Sequence, residues 1–378
     1  MAVISSNFIS RCIMKGLNLF LPVIAVIISM TGNLYSQNIQ NDSMKIDYKK
    51  IYSSCLDGDV KTALTALEST DVTNLSEKDS EFKSKFERRF KNETDESDYL
   101  ESRRSQISGL LEIYRDYWRT ALLDNSNNYD ALIFQNVSKF LSDNFLLPGE
   151  LIDNEDSLDV YLKKYTGSFG LHTTGYGKTG KYYDLLVWTS EKDTTYTFSL
   201  HNEETKADVV FMDDFITLGW EEYATLDRYY PGGWATKKAL YCVRKAYDTE
   251  SENFKISYLA HESRHFADYK IFPKLMSADL EYRAKLTELS MAQKTLYKTI
   301  EFFINNSNYE SDNGHSVANY CVIRDLSGVV FKNEFEKDID KWKETSTEQI
   351  NKAAYDLLKK NTELLKKEGA DVEKYIKR

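Results

Sequence analysis

The residues best suited to chemistry lie between positions 251 and 281. Five histidines occur in 378 residues, and two of them frame a glutamate as His261-Glu262-Ser263-Arg264-His265. On a helix, residues four apart share a face, one turn above the other. Two imidazoles so placed can bind one zinc ion from the same side, and the intervening glutamate then reaches the water that the ion activates. A catalytic zinc takes a third protein ligand and leaves its fourth position to water. Asp268, seven residues past His261, would be about 10 Å along the axis and too far to share the ion. It fits instead as the acceptor of the far N–H of His265. Glu281, sixteen residues past His265, is the better third ligand, provided the chain turns back after Ile271-Phe272-Pro273.

The flanking sequence supplies the helices this requires. Thr249 and Glu252 read as a capping box. Ile256, Leu259, Ser263 and Phe266 follow helical spacing. Pro273 ends the first helix, because proline disfavours the helical region for its predecessor. A second helix is expected from near Lys274, running through Leu289, Leu296 and Ile300 to Ile304, with Asn305–Gly314 as a polar loop. Attack on a carbonyl also needs a donor for the oxygen that becomes negative. His315 is the first candidate and Tyr320 the second.

This pattern resembles the glutamate-type zincins (gluzincins), the HExxH metallopeptidases with a glutamate ligand on a following helix, over roughly residues 237–320. The resemblance implies His261, His265 and Glu281 as Zn²⁺ ligands and Glu262 as general base. Arg264 places a charge where that family usually has none. The run Glu281-Tyr282-Arg283-Ala284-Lys285 lacks the aspartate often found four residues after the ligand glutamate. In zincins the strand before the metal helix commonly pairs with extended substrate, so the glycine-rich turn at Pro231-Gly232-Gly233-Trp234-Ala235 would shape the cleft. The glutamate-bearing motif of the aminopeptidase branch is missing, which favours an endopeptidase.

The remaining chain frames this centre. Residues 1–36 read as a secretory signal: Arg11 and Lys15 with no acid, an apolar run from Leu19 to Ile28, then small and polar residues through Ser36. The run is shorter than the roughly 20 residues that span a bilayer, so no stable span is expected once it is removed, an uncleaved anchor being the alternative. Residues 37–150 read as a helical domain ending at Pro148-Gly149. Residues 151–330 read as an α+β, zincin-like catalytic domain whose period changes to two between Leu158 and Tyr247. Within it, Leu185–Trp188 and Thr195–Leu200 are expected to form a hairpin across a Ser190–Asp193 turn, and Ala239–Tyr247 is the last strand. Residues 331–378 read as charged amphipathic helices covering that core. Gly175-Tyr176-Gly177-Lys178-Thr179-Gly180 matches a dinucleotide fingerprint but should open a helix, whereas Tyr182–Trp188 reads as a strand; a glycine-rich hairpin or active-site flap fits better. Cys55, Cys242 and Cys321 form no disulfide framework. A net charge of −10 argues against general nucleic-acid binding. The expectation is an exported, secreted or periplasmic zinc metallopeptidase acting on peptides or proteins. A zinc hydrolase of another amide or ester, and a non-catalytic helical interaction protein with a vestigial motif, are the alternatives.

Overall fold

The computed structural model describes residues 25–26, 46–70, 75–97, 105–200, 203–236, 238–311 and 313–376. The segment expected to be a signal lies outside them apart from Ala25–Val26. Helices α1 (Tyr48–Leu56), α2 (Val60–Glu68), α3 (Glu77–Phe90), α4 (Ser108–Leu123), α5 (Asp130–Asn144) and α6 (Glu155–Gly167) come first. The strands are β1 (Ala25–Val26), β2 (His172–Thr173), β3 (Gly177–Thr179), β4 (Tyr182–Asp184), β5 (Leu186–Leu200), β6 (Glu203–Leu218), β7 (Gly233–Ala235) and β8 (Leu240–Val243), with α7 (Trp220–Ala224) after β6. Helices α8 (His261–Ile271), α9 (Ser277–Met291), α10 (Leu296–Asn305), α11 (Gly314–Val330), α12 (Ile339–Glu344) and α13 (Thr347–Glu368) complete the chain. The class is α+β. Among the described residues no helix is long and apolar enough to cross a membrane.

One sheet positions the metal-motif helix. Its order is β1-β7-β8-β6-β5-β2, antiparallel except for the β6–β8 pair. Side chains alternate across a strand, so Ala207, Val209 and Phe211 of β6 face one way with Leu240 and Cys242 of β8 and Ala235 of β7. Phe254, Tyr258 and Leu259 pack onto this face. Each large side chain so buried contributes about 1.5–3 kcal/mol. Asn253–Ala260, which carries these anchors, is π-helical and runs directly into α8. A wider π turn is a feature that recurs at functional sites.

Several expectations change here. Ser190–Asp193 is no turn: β5 runs unbroken through it, and its partner in the hairpin is β6. Ser190, Glu191, Lys192 and Asp193 are all exposed on the strand, so their polarity reads like a loop in sequence. Residues 155–167 are helical, and Gly233–Ala235 is a strand, not a turn. The glycine-rich segment is the β3–β4 hairpin, but Tyr182 bonds to Gly58 O and Lys178 to Asp130, so it packs on the amino-terminal helices and is no flap over the metal motif. Thr249 and Glu252 make no capping box. Ser251 Oγ accepts from the Phe254 amide, while the Glu252 carboxylate accepts from the amides of Gln293, Lys294 and Thr295 ahead of α10. The second helix also divides, at Ala292–Thr295, and it starts at Ser277. Cys55, Cys242 and Cys321 are free and buried.

The boundary expected at Pro148-Gly149 falls inside one buried cluster. Trp118, Leu141, Leu162, Tyr182, Trp220 and Tyr223 all belong to it. Beside that cluster, Asp184 accepts from the Trp220 and Leu185 amides, while both oxygens of Glu221 have no hydrogen-bond partner. Burial pushes Asp184 up to about 7, and burial with the nearby Asp184 pushes Glu221 up to about 8. Unfolded, the two would titrate near 4. The folded state therefore holds these protons more tightly, so their stabilising effect is full below about pH 4 and is lost as pH rises through about 7 to 8. Urea denaturation at pH 5 and pH 9 should show Asp184→Asn/Glu221→Gln losing less stability over that interval than the parent, by on the order of a few kcal/mol. Parallel profiles would refute this.

Candidate metal centre

Helices α8 and α9 form an antiparallel pair around a corner in which Phe272 and Leu275 are buried against Leu280 and Leu365. Proline at 273 stops the first helix, and the return brings Glu281 back beside the two imidazoles. Nε2 of His265 is 3.1 Å from Glu281 Oε1, and Nε2 of His261 is 3.4 Å from Glu281 Oε2. One donor atom from each of the three residues lies within 4.8 Å of the others. Ligand atoms about 2.1 Å from a tetrahedral ion would be about 3.4 Å apart, and each imidazole stands near that distance from one Glu281 oxygen, His265 from Oε1 and His261 from Oε2.

The burial of these groups strengthens the fit. His261 and His265 are 1% exposed, and Glu262 and Glu281 are 0% exposed. Nε2 of both histidines and both oxygens of each glutamate lack a hydrogen-bond partner of good geometry. The Glu281 oxygens are faced by three imidazole nitrogens, whereas the Glu262 oxygens and Nδ1 of His265 have no partner at all, and a buried polar group left unmatched costs about 1–3 kcal/mol. Nδ1 of His261 is 3.4 Å from Glu288 Oε2. With the Nδ1 proton directed at that carboxylate, Nε2 is left as the ring atom available to an ion. The field agrees. Burial works to lower His261, but Glu281 and Glu288 outweigh it and raise the ring to about 9. That field favours positive charge at His261, whereas at His265 burial outweighs Glu281 and lowers the ring, keeping it neutral. Burial would raise Glu281, but His315, His265 and His261 hold it well below the usual carboxylate range. Glu262 is pushed up to about 8 by burial, opposed by His261 and Lys285. The buried group His261, His265 and Glu281 can therefore hold a metal ion.

Three residues take other places than expected. Asp268 does not accept from His265. Its two oxygens take the Arg283 Nε and Nη2 protons at 2.7 and 2.8 Å, and Nδ1 of His265 has no hydrogen-bond partner. A guanidinium fork matches a carboxylate better than one imidazole can. Tyr320 stacks on Phe335 and leans against Tyr309 in the carboxy-terminal cluster. It follows His315 by five residues on α11, roughly 140° around the helix, so it cannot share that histidine's outlook. His315 does reach the centre, from the first turn of α11 and not from a loop. Its Nδ1 stands 2.9 Å from Glu281 Oε2, against the carboxylate that could ligate an ion. Glu288 went unforeseen, although it stands seven residues after Glu281 and so returns to the same face of α9.

Groups that orient metal ligands typically carry 10- to 100-fold in metal affinity. Glu288→Ala and His315→Ala should each weaken zinc binding by about that factor in competition with a chromophoric chelator. Unchanged affinity in both would remove the orienting roles. No protein-family model, no curated protein and no solved structure matches this chain.

Proposed function

We propose that the chain is a zinc-dependent hydrolase of the glutamate-type zincin kind, exported by its first 36 residues and acting on peptide bonds as an endopeptidase. The observation that carries this reading is Glu262, a buried carboxylate outside the three-residue group, with both oxygens unmatched, on the same helix as His261 and His265 and within electrostatic reach of His261 and Glu281. Two imidazoles and one carboxylate also suit iron. A base adjoining them is what hydrolysis specifically requires. A vestigial motif would have no reason to keep such groups buried and unmatched.

His261, His265 and Glu281 would hold the ion, with Glu288 and His315 fixing the ligand orientations. When bound, zinc lowers the pKa of its water to about 7 and polarises a carbonyl. Glu262 takes the proton from the attacking water. As the water oxygen bonds to the carbonyl carbon, the C=O electron pair moves onto the carbonyl oxygen. The C–N bond then breaks, and Glu262 delivers the proton to the leaving nitrogen. Burial raises the Glu262 carboxyl and a bound cation would oppose that rise, which suits a group that must both accept and return a proton near neutral pH.

A peptide substrate is supported by β7, which packs against α8 and pairs antiparallel with Ala25–Val26 along its outer edge. That edge accepts an extended backbone, as β-augmentation requires. The experiment is a digest of denatured protein by the purified chain lacking residues 1–36, with and without a chelator. Cleavage that the chelator stops and zinc restores is expected. No cleavage of any polypeptide by zinc-loaded protein would overturn the reading.

A further inference from the structure

Helix α9 is buried for twelve consecutive residues, Asp279 to Ser290. Charged side chains are almost never fully buried without partners, so those on this helix can be taken in turn. Asp279 accepts from the Tyr375 and Ile376 amides. Glu281 faces the two ligand histidines and His315. Arg283 is bound by Asp268, Asn361 and Thr362. Glu288 meets His261. Lys285 differs from all of them. It is 5% exposed, its nearest carboxylate oxygen is Glu281 Oε2 at 3.9 Å, and its ammonium otherwise lies 4.6 Å from the centre of the Phe303 ring. Neither distance is a hydrogen bond. Three N–H donors are thus held in a nearly closed site, one helical turn from the ligand carboxylate and within electrostatic reach of Glu262.

We infer that Lys285 is a catalytic residue whose ammonium donates to the carbonyl oxygen that becomes negative as water adds. The inference rests on the hydrolytic reading above. Phe303 screens the ammonium from water on one side, which strengthens its action on a developing charge. The lysine transfers no proton: the electron pair displaced from the C=O bond is met by a hydrogen bond and returns when the C–N bond breaks. This fills the role first looked for at His315 and Tyr320, one of which orients Glu281 while the other faces away.

Lys285→Met keeps the length and apolar stem of the side chain. In the zinc-loaded chain it should lower kcat by about 10²- to 10³-fold, with KM nearly unchanged and zinc still bound at one per chain. A phosphonate dipeptide, whose tetrahedral anion resembles the reacting centre, should bind at least about tenfold more weakly by calorimetry. Lys285→Arg should recover part of both. Retention of kcat and phosphonate affinity by a zinc-loaded Lys285→Met would overturn the inference while leaving the hydrolase reading intact. Loss of zinc would also overturn it, because Lys285 would then serve the ligand set. So would a defect confined to substrates with a free carboxyl terminus, which would assign the ammonium to a substrate carboxylate. If Lys285→Met does not fold, the same readouts on Lys285→Arg and Lys285→Gln decide the matter. Absence of hydrolysis by the parent chain would instead remove the reading on which the inference stands.

Discussion

Replacing Glu262 by glutamine is expected to lower turnover by about 10³-fold, within the 10²–10⁴ range of general-base catalysis, while one zinc per chain remains bound. The amide has nearly the same shape but cannot take a proton from water. Because Glu262 is fully buried without hydrogen-bond partners, the substitution breaks no contact. It also removes a carboxylate that burial disfavours, so stability should hold or rise slightly. The informative comparison is kcat against zinc content and thermal midpoint on one preparation. Full hydrolysis by Glu262→Gln would contradict the mechanism. Joint loss of zinc and activity would mean that Glu262 is a ligand and not the base.

The second large effect concerns stability. Asp268 and Arg283 form a two-pronged ion pair at 0% and 1% side-chain exposure, joining α8 to α9, and Arg283 also donates to Asn361 and Thr362 on α13. Removing one partner of a buried pair leaves an unmatched charge and costs about 3–5 kcal/mol. Arg283→Met should lose that amount in urea denaturation, and zinc affinity should fall with it, since this pair fixes how the two ligand-bearing helices meet. Adding Asp268→Asn to Arg283→Met should recover part of the loss, because the stranded charge is gone. A single variant as stable as the parent would show that Arg264, 3.8 Å from the same carboxylate, suffices alone.

What the sequence disclosed about this centre follows the range of the interactions involved. The helix carrying His261 and His265, the corner at Pro273 and the return of Glu281 depend on local periodicity and on proline, and both are written within 31 residues. Glu288 depends on the same period and was within reach of the same reasoning. Other features depend on distant partners. Asp268 looked like a histidine's acceptor until the fold brought a guanidinium to it. Glu252 had the spacing of a local cap, yet its carboxylate serves amides 41 to 43 residues away. Tyr320 stood close to His315 in sequence, and helix rotation separated them. Ser190–Asp193 is polar and reads as a turn that divides β5, whereas an unbroken ladder with β6 carries the chain through it. Lys285 stood in plain view as a departure from a family pattern. Its meaning came only from the burial that isolates it.

The most direct test of the metal centre is elemental analysis of the purified chain beside its Glu281→Ala variant. The ligand spacings and unmatched donors described above predict one zinc per parent chain and much less than one in the variant. A folded parent chain that holds no metal after dialysis against micromolar zinc, or a variant that holds as much as the parent, would contradict it.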